Sequence, residues 1–412
     1  MYKKVLLFFI IISTQSILLP CTTAIVSGKY TKSGRPLLLK HRDSGFEQNK
    51  LMFFDDGKYN YIGLVNSEEA DVKAVWGGVN SEGFAIINSA SYNLKSDADT
   101  SKKEDMEGVV MKLALEQCAT VDDFKNMLLN MEKPLGVEAN FGVIDAKGGA
   151  AYFETDNFSF NIIDVNDKKN APFGYVIRTN YSFVTDRKDG YGYIRYNTAN
   201  QLFYNAAMEN NLTVPFILKD VSRSLKHSLL EIDLKENINF SESKEELLPF
   251  LDFIPRHSSC ATVVIEGVTP DESPELSTLW TILGFQLTSV AIPTWVKGGE
   301  DLPKLLIADK SGNAPLCVKA LKLKEELFPF KYGNGGRYIN ISKVINKEGS
   351  GFIQKLEPLE NKILDKTYNK LKIWRKENNL PREEVHNLYY WIDKEVSEFY
   401  EKEFTLKNLI ED

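Results

Sequence analysis

Cysteine and histidine are scarce in this chain, four of each in 412 residues, and their placement excludes several chemistries. Cys21, Cys118, Cys260 and Cys317 form no CxxC pair and no spacing suited to zinc. His41, His227, His257 and His386 supply no metal-ligand pair, and the serine-hydrolase elbow GxSxG is absent. No metal or organic cofactor is therefore expected. His41-Arg42-Asp43 matches the opening of a kinase catalytic loop, but Gln48 stands where that loop needs asparagine and no glycine-rich phosphate loop accompanies it. Long apolar runs are missing too. Val5 to Ile12 falls far short of the roughly 20 residues of a membrane-spanning helix, so no membrane span is expected. A net charge of −7 and scattered lysines argue against a nucleic-acid partner.

What is present is an ordinary globular composition, 43% apolar and 26% charged, enough to bury a large core. Lys3 and Lys4, the apolar run after them and Ser13-Thr14-Gln15-Ser16 read as a signal peptide, which predicts a secreted or periplasmic protein. Residues 1–20 are assigned to that signal and a short propeptide, since cleavage after Ser16 leaves Ile17 to Pro20 as a stub. Cys21 stands at the boundary. It has three readings: a lipid attachment site, half of a disulfide, or a nucleophile that becomes the first residue of the mature chain. A lipoprotein box wants a small residue where Pro20 stands. If Cys21 is reserved for chemistry, the other three cysteines allow at most one disulfide, and buried free thiols are the plainer expectation.

From Thr23 to Ser44 two β runs, TAIVSGKY and PLLLKH, flank the turn formers Thr31 to Arg35 and predict a hairpin. Folding about Lys32 and Ser33 puts Asp43 opposite Thr22 or Thr23, and so beside Cys21. Short strands continue through LMFF, YIGLV and Gly83 to Asn88. Helices are expected over Glu107 to Ala119 and, capped by Thr120, on to Met131. Strands return at Asn140–Asp145, Ala150–Glu154, Phe158–Ile163 and Tyr175–Asn180. Helices follow at Tyr193–Met208 and Val214–Ser224, then a β block from Ala261 to Ile292. This alternation predicts an α+β fold of stacked, mainly antiparallel sheets covered by helices. The tail is charged, helical in period and broken by Pro381. Residues 21–350 are assigned to the main domain and 351–412 to a helical C-terminal extension, with oligomerisation open.

With no histidine placed as a base, a nucleophilic Cys21 needs one from elsewhere. A mature N-terminal cysteine carries its own α-amine, whose reference pKa of about 7.7 to 8.0 is close to working pH.

CTTAIVSGKYTKSGRPLLLKHRDS resembles the start of the N-terminal-nucleophile hydrolases. The likeness is to the acyl-coenzyme A:6-aminopenicillanic acid acyltransferase-like family and its choloylglycine hydrolase and penicillin V acylase relatives. GGVNSEGFAIINSAS resembles the segment carrying an asparagine near the oxyanion hole, IRTNYS the segment of the second donor, and GYIRYNTA the helix with a site-ordering arginine. HSSCATVVIEGV and LWTILGFQLTSVAIPTWV resemble later core strands. The resemblance spans roughly Cys21 to Val296. It implies a four-layer αββα sandwich and a hydrolase, or acyltransferase, of linear non-peptide C–N amides acting on a small-molecule substrate. It implies Cys21 as nucleophile, Asp43 holding the α-amine, Asn88 and Asn180 as oxyanion donors, and Arg195 fixing Asp43 or the substrate side of the pocket. Asn80 competes with Asn88. Relatives commonly carry an arginine three residues before the aspartate, where this chain has Lys40, while Arg42 immediately precedes Asp43. A dipeptidase of the same superfamily is the alternative enzyme, and a non-catalytic surface lipoprotein lipidated at Cys21 the alternative of another class.

Overall fold

Strands β1 (Thr22–Val26) and β2 (Leu37–Asp43) form the expected hairpin, with Thr22 opposite His41 and Val26 opposite Leu37. This register differs from the expected one by two to three residues. The connection is not a tight turn at Lys32 and Ser33: Gly28–Tyr30 winds into a 3₁₀ turn, and Ser27 gives its N–H to the Gly174 carbonyl at 2.8 Å rather than across the hairpin. Gly28 is required there, since a Cβ would stand 2.4 Å from the Gly34 carbonyl oxygen. Continuing the observed register sets Cys21 opposite Arg42, with Asp43 one residue beyond.

The computed structural model describes residues 21–69, 71–95, 99–185, 190–236 and 238–406; the expected signal segment, 1–20, lies outside them. One antiparallel sheet runs, in spatial order, through β3 (Asn49–Phe54), β4 (Tyr61–Asn66), β5 (Gly78–Asn80), β6 (Ala85–Ala90), β7 (Ala139–Ile144), β8 (Ala150–Thr155) and β9 (Phe160–Asp164). The other contains β1, β2 and β10 (Tyr175–Arg178). Two small pairs follow in the chain: β11 (Lys226–His227) with β12 (Ile232–Asp233), and β13 (Leu247–Pro249) with a late strand. The second sheet is completed by β14 (Ser259–Glu266), β15 (Thr278–Leu283) and β16 (Ile292–Thr294), in the order β10-β1-β2-β14-β15-β16. The partner of β13 is β17 (Tyr338–Asn340).

The two large sheets stack face to face. A Cβ on Gly142 of β7 would meet Ile25 of β1 at 3.3 Å as well as its own sheet's Ile87 and Tyr152. Helices α1 (Glu107–Gln117) and α2 (Val121–Asn130) cover the outer face of the first sheet, burying Val110, Leu115 and Phe124 against Phe84, Phe141 and Phe153. Thr120 caps α2 in a capping box with Asp123, as its sequence predicts. The outer face of the second sheet is covered by α3 (Tyr193–Met208), α5 (Pro315–Leu327), α7 (Phe352–Glu377) and α8 (Arg382–Phe404), with the single turns α4 (Val214–Phe216) and α6 (Ile341–Val344) between them. The four-layer αββα arrangement is thus the one observed. The helix expected over Val214–Ser224 is instead α4 followed by a π turn, Ile217–Val221. The α5 helix, opening on Pro315, was not anticipated.

The last two helices share the main core. Trp374 of α7 meets Trp295 edge to face at 5.5 Å, and the Tyr389 hydroxyl of α8 accepts the Trp295 N–H at 2.9 Å. Glu360 of α7 forms a buried double ion pair with Arg223, 2.6 and 2.8 Å, and also accepts the Ala291 N–H. All four cysteines are buried free thiols. No helix among the described residues is long and apolar enough to cross a membrane.

Candidate active site

Side chains of β2 alternate between two layers, as a strand's period of two demands. Lys40 and Arg42 point between the sheets, where they meet residues of β6 and of β3 and β4 respectively. His41 and Asp43 point the other way, toward β14 residues Thr262 and Ser259. Cys21, buried at the mouth of β1, lies between these layers, its Sγ 3.9 Å from the Asp43 carbonyl oxygen.

The pairing of β1 with β10, Thr23 opposite Arg178, continues to put Cys21 in register with Asn180. Arg195 of α3 closes the link. One of its terminal nitrogens, Nη1, donates to the Cys21 carbonyl at 2.6 Å and to the Thr22 hydroxyl at 2.9 Å, while Nη2 donates to Asn180 Oδ1 at 2.8 Å. Asn180 and Arg195 are thereby bound into one buried unit with Cys21, which is far from both in sequence. Burial, with Arg256 nearby, lowers the Arg195 pKa to about 9. The Asn180 amide gives one N–H to the Ala90 carbonyl at 3.0 Å, tying β10 to the end of β6.

Asn88 and Lys40 form a second pair. Lys40 Nζ donates to Asn88 Oδ1 at 2.5 Å, and among the described residues the Asn88 Nδ2 has no partner. Lys40 is buried, and that burial brings its pKa down to about 8, with the Cys21 thiol the leading influence in the other direction. Asn80, the competitor of Asn88, is a structural residue: its Nδ2 donates to the Leu115 and Cys118 carbonyls, and its Oδ1 accepts from Glu82 and Phe84 N–H. Arg42 is likewise occupied, donating to Asn49 and Asn66 and lying 5.0 Å over the Trp76 ring. Of the two candidate cations it is Lys40 that faces Cys21 and Asn88.

The partner of Asp43 differs from the expected one. Arg195 bonds to Cys21, Thr22 and Asn180 and forms no hydrogen bond or ion pair with the Asp43 carboxylate; that ion pair is with Arg256. Arg256 sits in the turn before β14, and the register of β14 against β2, Ser259 opposite Asp43, brings it there. Burial pushes the Asp43 carboxyl up, opposed by Arg256, Arg195 and the Ser259 hydrogen bond. Sequence reading missed Arg256 and Ser259. The polar run RHSSC ahead of an apolar strand was the available signal, since such a run at a strand mouth exposes donors to whatever the sheet brings beside it.

Cavities elsewhere in the described residues lie away from this cluster. One of about 750 Å³ is lined by Leu247, Phe330, Tyr332 and Tyr338. Another, of about 400 Å³, lies among Phe53, Asn60, Lys297 and Arg382. No group of described histidines, cysteines and carboxylates is arranged to hold a metal ion.

No protein-family model and no curated protein matches the chain. Solved structures do resemble it. A Caenorhabditis elegans ortholog of N-acylethanolamine-hydrolyzing acid amidase is 14% identical over 61% of this chain and 94% of its own, with a TM-score of 0.38. A mutant conjugated bile acid hydrolase from Clostridium perfringens is 14% identical over 67% and 92%, TM-score 0.38. Penicillin V acylase from Agrobacterium tumefaciens is 13% identical over 67% and 86%, TM-score 0.39. At such identities the likeness is one of chain course, and the chemistry rests on the residues themselves.

Proposed function

We propose that this protein is an exported cysteine hydrolase of linear, non-peptide amide bonds, with Cys21 as the first residue of the mature chain. The observation that carries the reading is the Arg195 bridge, which holds the Cys21 backbone and the Asn180 amide in one buried unit. An ordinary structural cysteine has no need of a positioned donor beside it. Burial of Cys21 also weighs against a lipid anchor, whose thioether must leave the protein for a membrane.

In the proposed reaction the Cys21 α-amine takes the thiol proton, and Sγ forms a bond to the amide carbon as the carbonyl π pair moves to oxygen. Asn88 Nδ2 and the Asn180 amide donate to that oxyanion; losing one such donor typically costs about 100-fold or more. The tetrahedral intermediate collapses, the C–N bond breaks, and the ammonium returns its proton to the leaving amine. Water then attacks the thioester, its proton passing through the same amine, and the acid is released with the thiol restored. Asp43, held by Arg256, is proposed to orient the α-amine. A transferase would differ only in that an amine replaces the water. Residues 1–20 would direct export and must be removed before the base exists.

The test adds one uncleavable residue before Cys21, with mass spectrometry confirming the intact N-terminus. N-acylethanolamine, bile-salt and penicillin V amides serve as the substrate panel. Turnover should fall about 100-fold to 10,000-fold, the contribution of a positioned general base, and Cys21→Ala should abolish it. Normal turnover by the extended protein would refute the mechanism.

A further inference from the structure

His41 is fully buried, and it stands in a chain of hydrogen bonds that runs under the site. Its Nε2 is 2.9 Å from Ser259 Oγ and its Nδ1 3.3 Å from Thr262 Oγ1. Ser259 Oγ also receives the Arg256 backbone N–H at 3.0 Å and bonds to Asp43 Oδ1 at 2.5 Å. At the far end Gln286 Nε2 donates to Thr262 Oγ1 at 3.1 Å.

Counting donors fixes the direction of every bond. A serine hydroxyl has one proton and two lone pairs. The Asp43 carboxylate, ionised by its pairing with Arg256, can only accept, so the Ser259 proton goes to Asp43. The Arg256 N–H takes one Ser259 lone pair. The other is left for His41, which must donate from Nε2. Nδ1 is then bare and accepts the Thr262 hydroxyl proton, and Thr262 accepts from Gln286, as its amide is oriented. The chain therefore runs one way, from Gln286 through Thr262, His41 and Ser259 to Asp43. A protonated ring would need an acceptor at Nδ1, and Thr262 would have to turn its only proton from it toward Gln286, whose amide, as it is oriented, presents Nε2 and not an acceptor. Burial and the nearby guanidiniums of Arg256 and Arg195 also hold the ring well below its usual pKa.

We infer that His41 is a positioning residue: a permanently neutral imidazole, protonated on Nε2, that fixes Ser259 as a donor and through it the plane of the Asp43 carboxylate. The inference rests on the amide-hydrolase reading for its consequence, though not for its geometry. Without His41, Ser259 keeps its proton and the Arg256 N–H but loses one of the two donors that hold its hydroxyl rotor toward Asp43. Asp43 is then held firmly by Arg256 and only loosely by Ser259, and can swing about that ion pair, carrying the α-amine with it. A misplacement of about 1 Å at a reacting group can cost on the order of 100-fold in rate, so the effect belongs in kcat rather than KM. A base role for His41 is disfavoured by the same count, because its only lone pair faces Thr262.

Two measurements test this. Ring-nitrogen NMR of the wild-type protein should show His41 neutral and protonated on Nε2 from pH 5.5 to 8. Protonation on Nδ1, or titration to imidazolium in that range, would overturn the inference. The charged groups acting on the ring are Arg256 and Arg195, with Asp43 one hydrogen bond further on through Ser259, so the same spectra in Arg256→Gln should show a ring that titrates more readily. The kinetic arm compares His41→Leu with His41→Gln, whose amide nitrogen can donate where Nε2 stood. His41→Leu should lower kcat by about 10-fold or more with KM nearly unchanged, and His41→Gln should recover most of it. Equal loss in both, or wild-type kcat in His41→Leu, would overturn it. If the wild-type protein turns over no amide, the functional reading fails while the NMR arm still decides the protonation of His41.

Discussion

Replacing Lys40 by methionine separates the electrostatic cost of the site from its packing. Methionine nearly matches the lysine stem in length and leaves out only the charged head. Lys40 has its pKa brought from 10.5 to about 8 by burial. At about 1.4 kcal/mol per pH unit, holding the ammonium inside the fold costs ~3 kcal/mol relative to the neutral amine. Below pH 8 both folded and unfolded chains carry the proton, and the whole cost is present. Between about 8 and 10.5 the folded chain sheds the proton while the unfolded chain keeps it, so the unfolded state binds more protons and stability rises with pH. Above 10.5 both are neutral. Lys40→Met has no such term. Its own penalty, an Asn88 Oδ1 left without the Nζ donor, is independent of pH. Urea unfolding of both proteins from pH 7 to pH 10 should therefore show wild type gaining on the variant by most of ~3 kcal/mol, with tyrosine and other titrations cancelling in the difference. A stability difference that stays flat across this range would refute the placement of a buried, charged Lys40 beside Cys21.

Asn80→Ala should destabilise the protein by about 2–3 kcal/mol in urea unfolding, because buried carbonyls and N–H groups lose their partner. In the folded fraction kcat should be unchanged, and a selective kcat loss would return Asn80 to the oxyanion hole. Glu360→Ala should cost about 3–5 kcal/mol by stranding the Arg223 guanidinium inside the protein. Thermal unfolding checks this, and a change under 1 kcal/mol would mean that α7 is only loosely tied to the sheet.

Local features were legible where the signal is local. Thr120 and Asp123 are close enough in sequence to cap α2 whatever surrounds them, and α3 spans Tyr193–Met208 as its periodicity predicts. The Val214–Ser224 segment kept its turns but not its α-helix, since Ile217, Leu218 and Val221 are all drawn into the core around a π turn. The hairpin between β1 and β2 was visible from its turn formers. Its register was not, because the chain enters the 3₁₀ turn at Gly28–Tyr30 from Ser27, whose N–H is held by the carbonyl of Gly174, far along the chain.

The amino-acid sequence by itself determined that Cys21 stands just before the first strand and that no histidine was placed by motif to serve it, and its resemblance to the N-terminal-nucleophile hydrolases singled out Asp43, Asn88, Asn180 and Arg195 as the polar residues to examine. Only the tertiary structure decided how they are partnered. Lys40 and Arg42 share a face of β2, and what separates their roles is which strands of the other sheet lie across from each: β6 with Asn88 for the first, β3 and β4 for the second. Arg195 went to Cys21 and Asn180, and Asp43 to Arg256, because α3 and β14 approach β1 and β2 from different sides. A charge in a sequence names a need for a partner; within a dry, close-packed layer, the partner is whichever group the stacking of sheets places within about 3 Å.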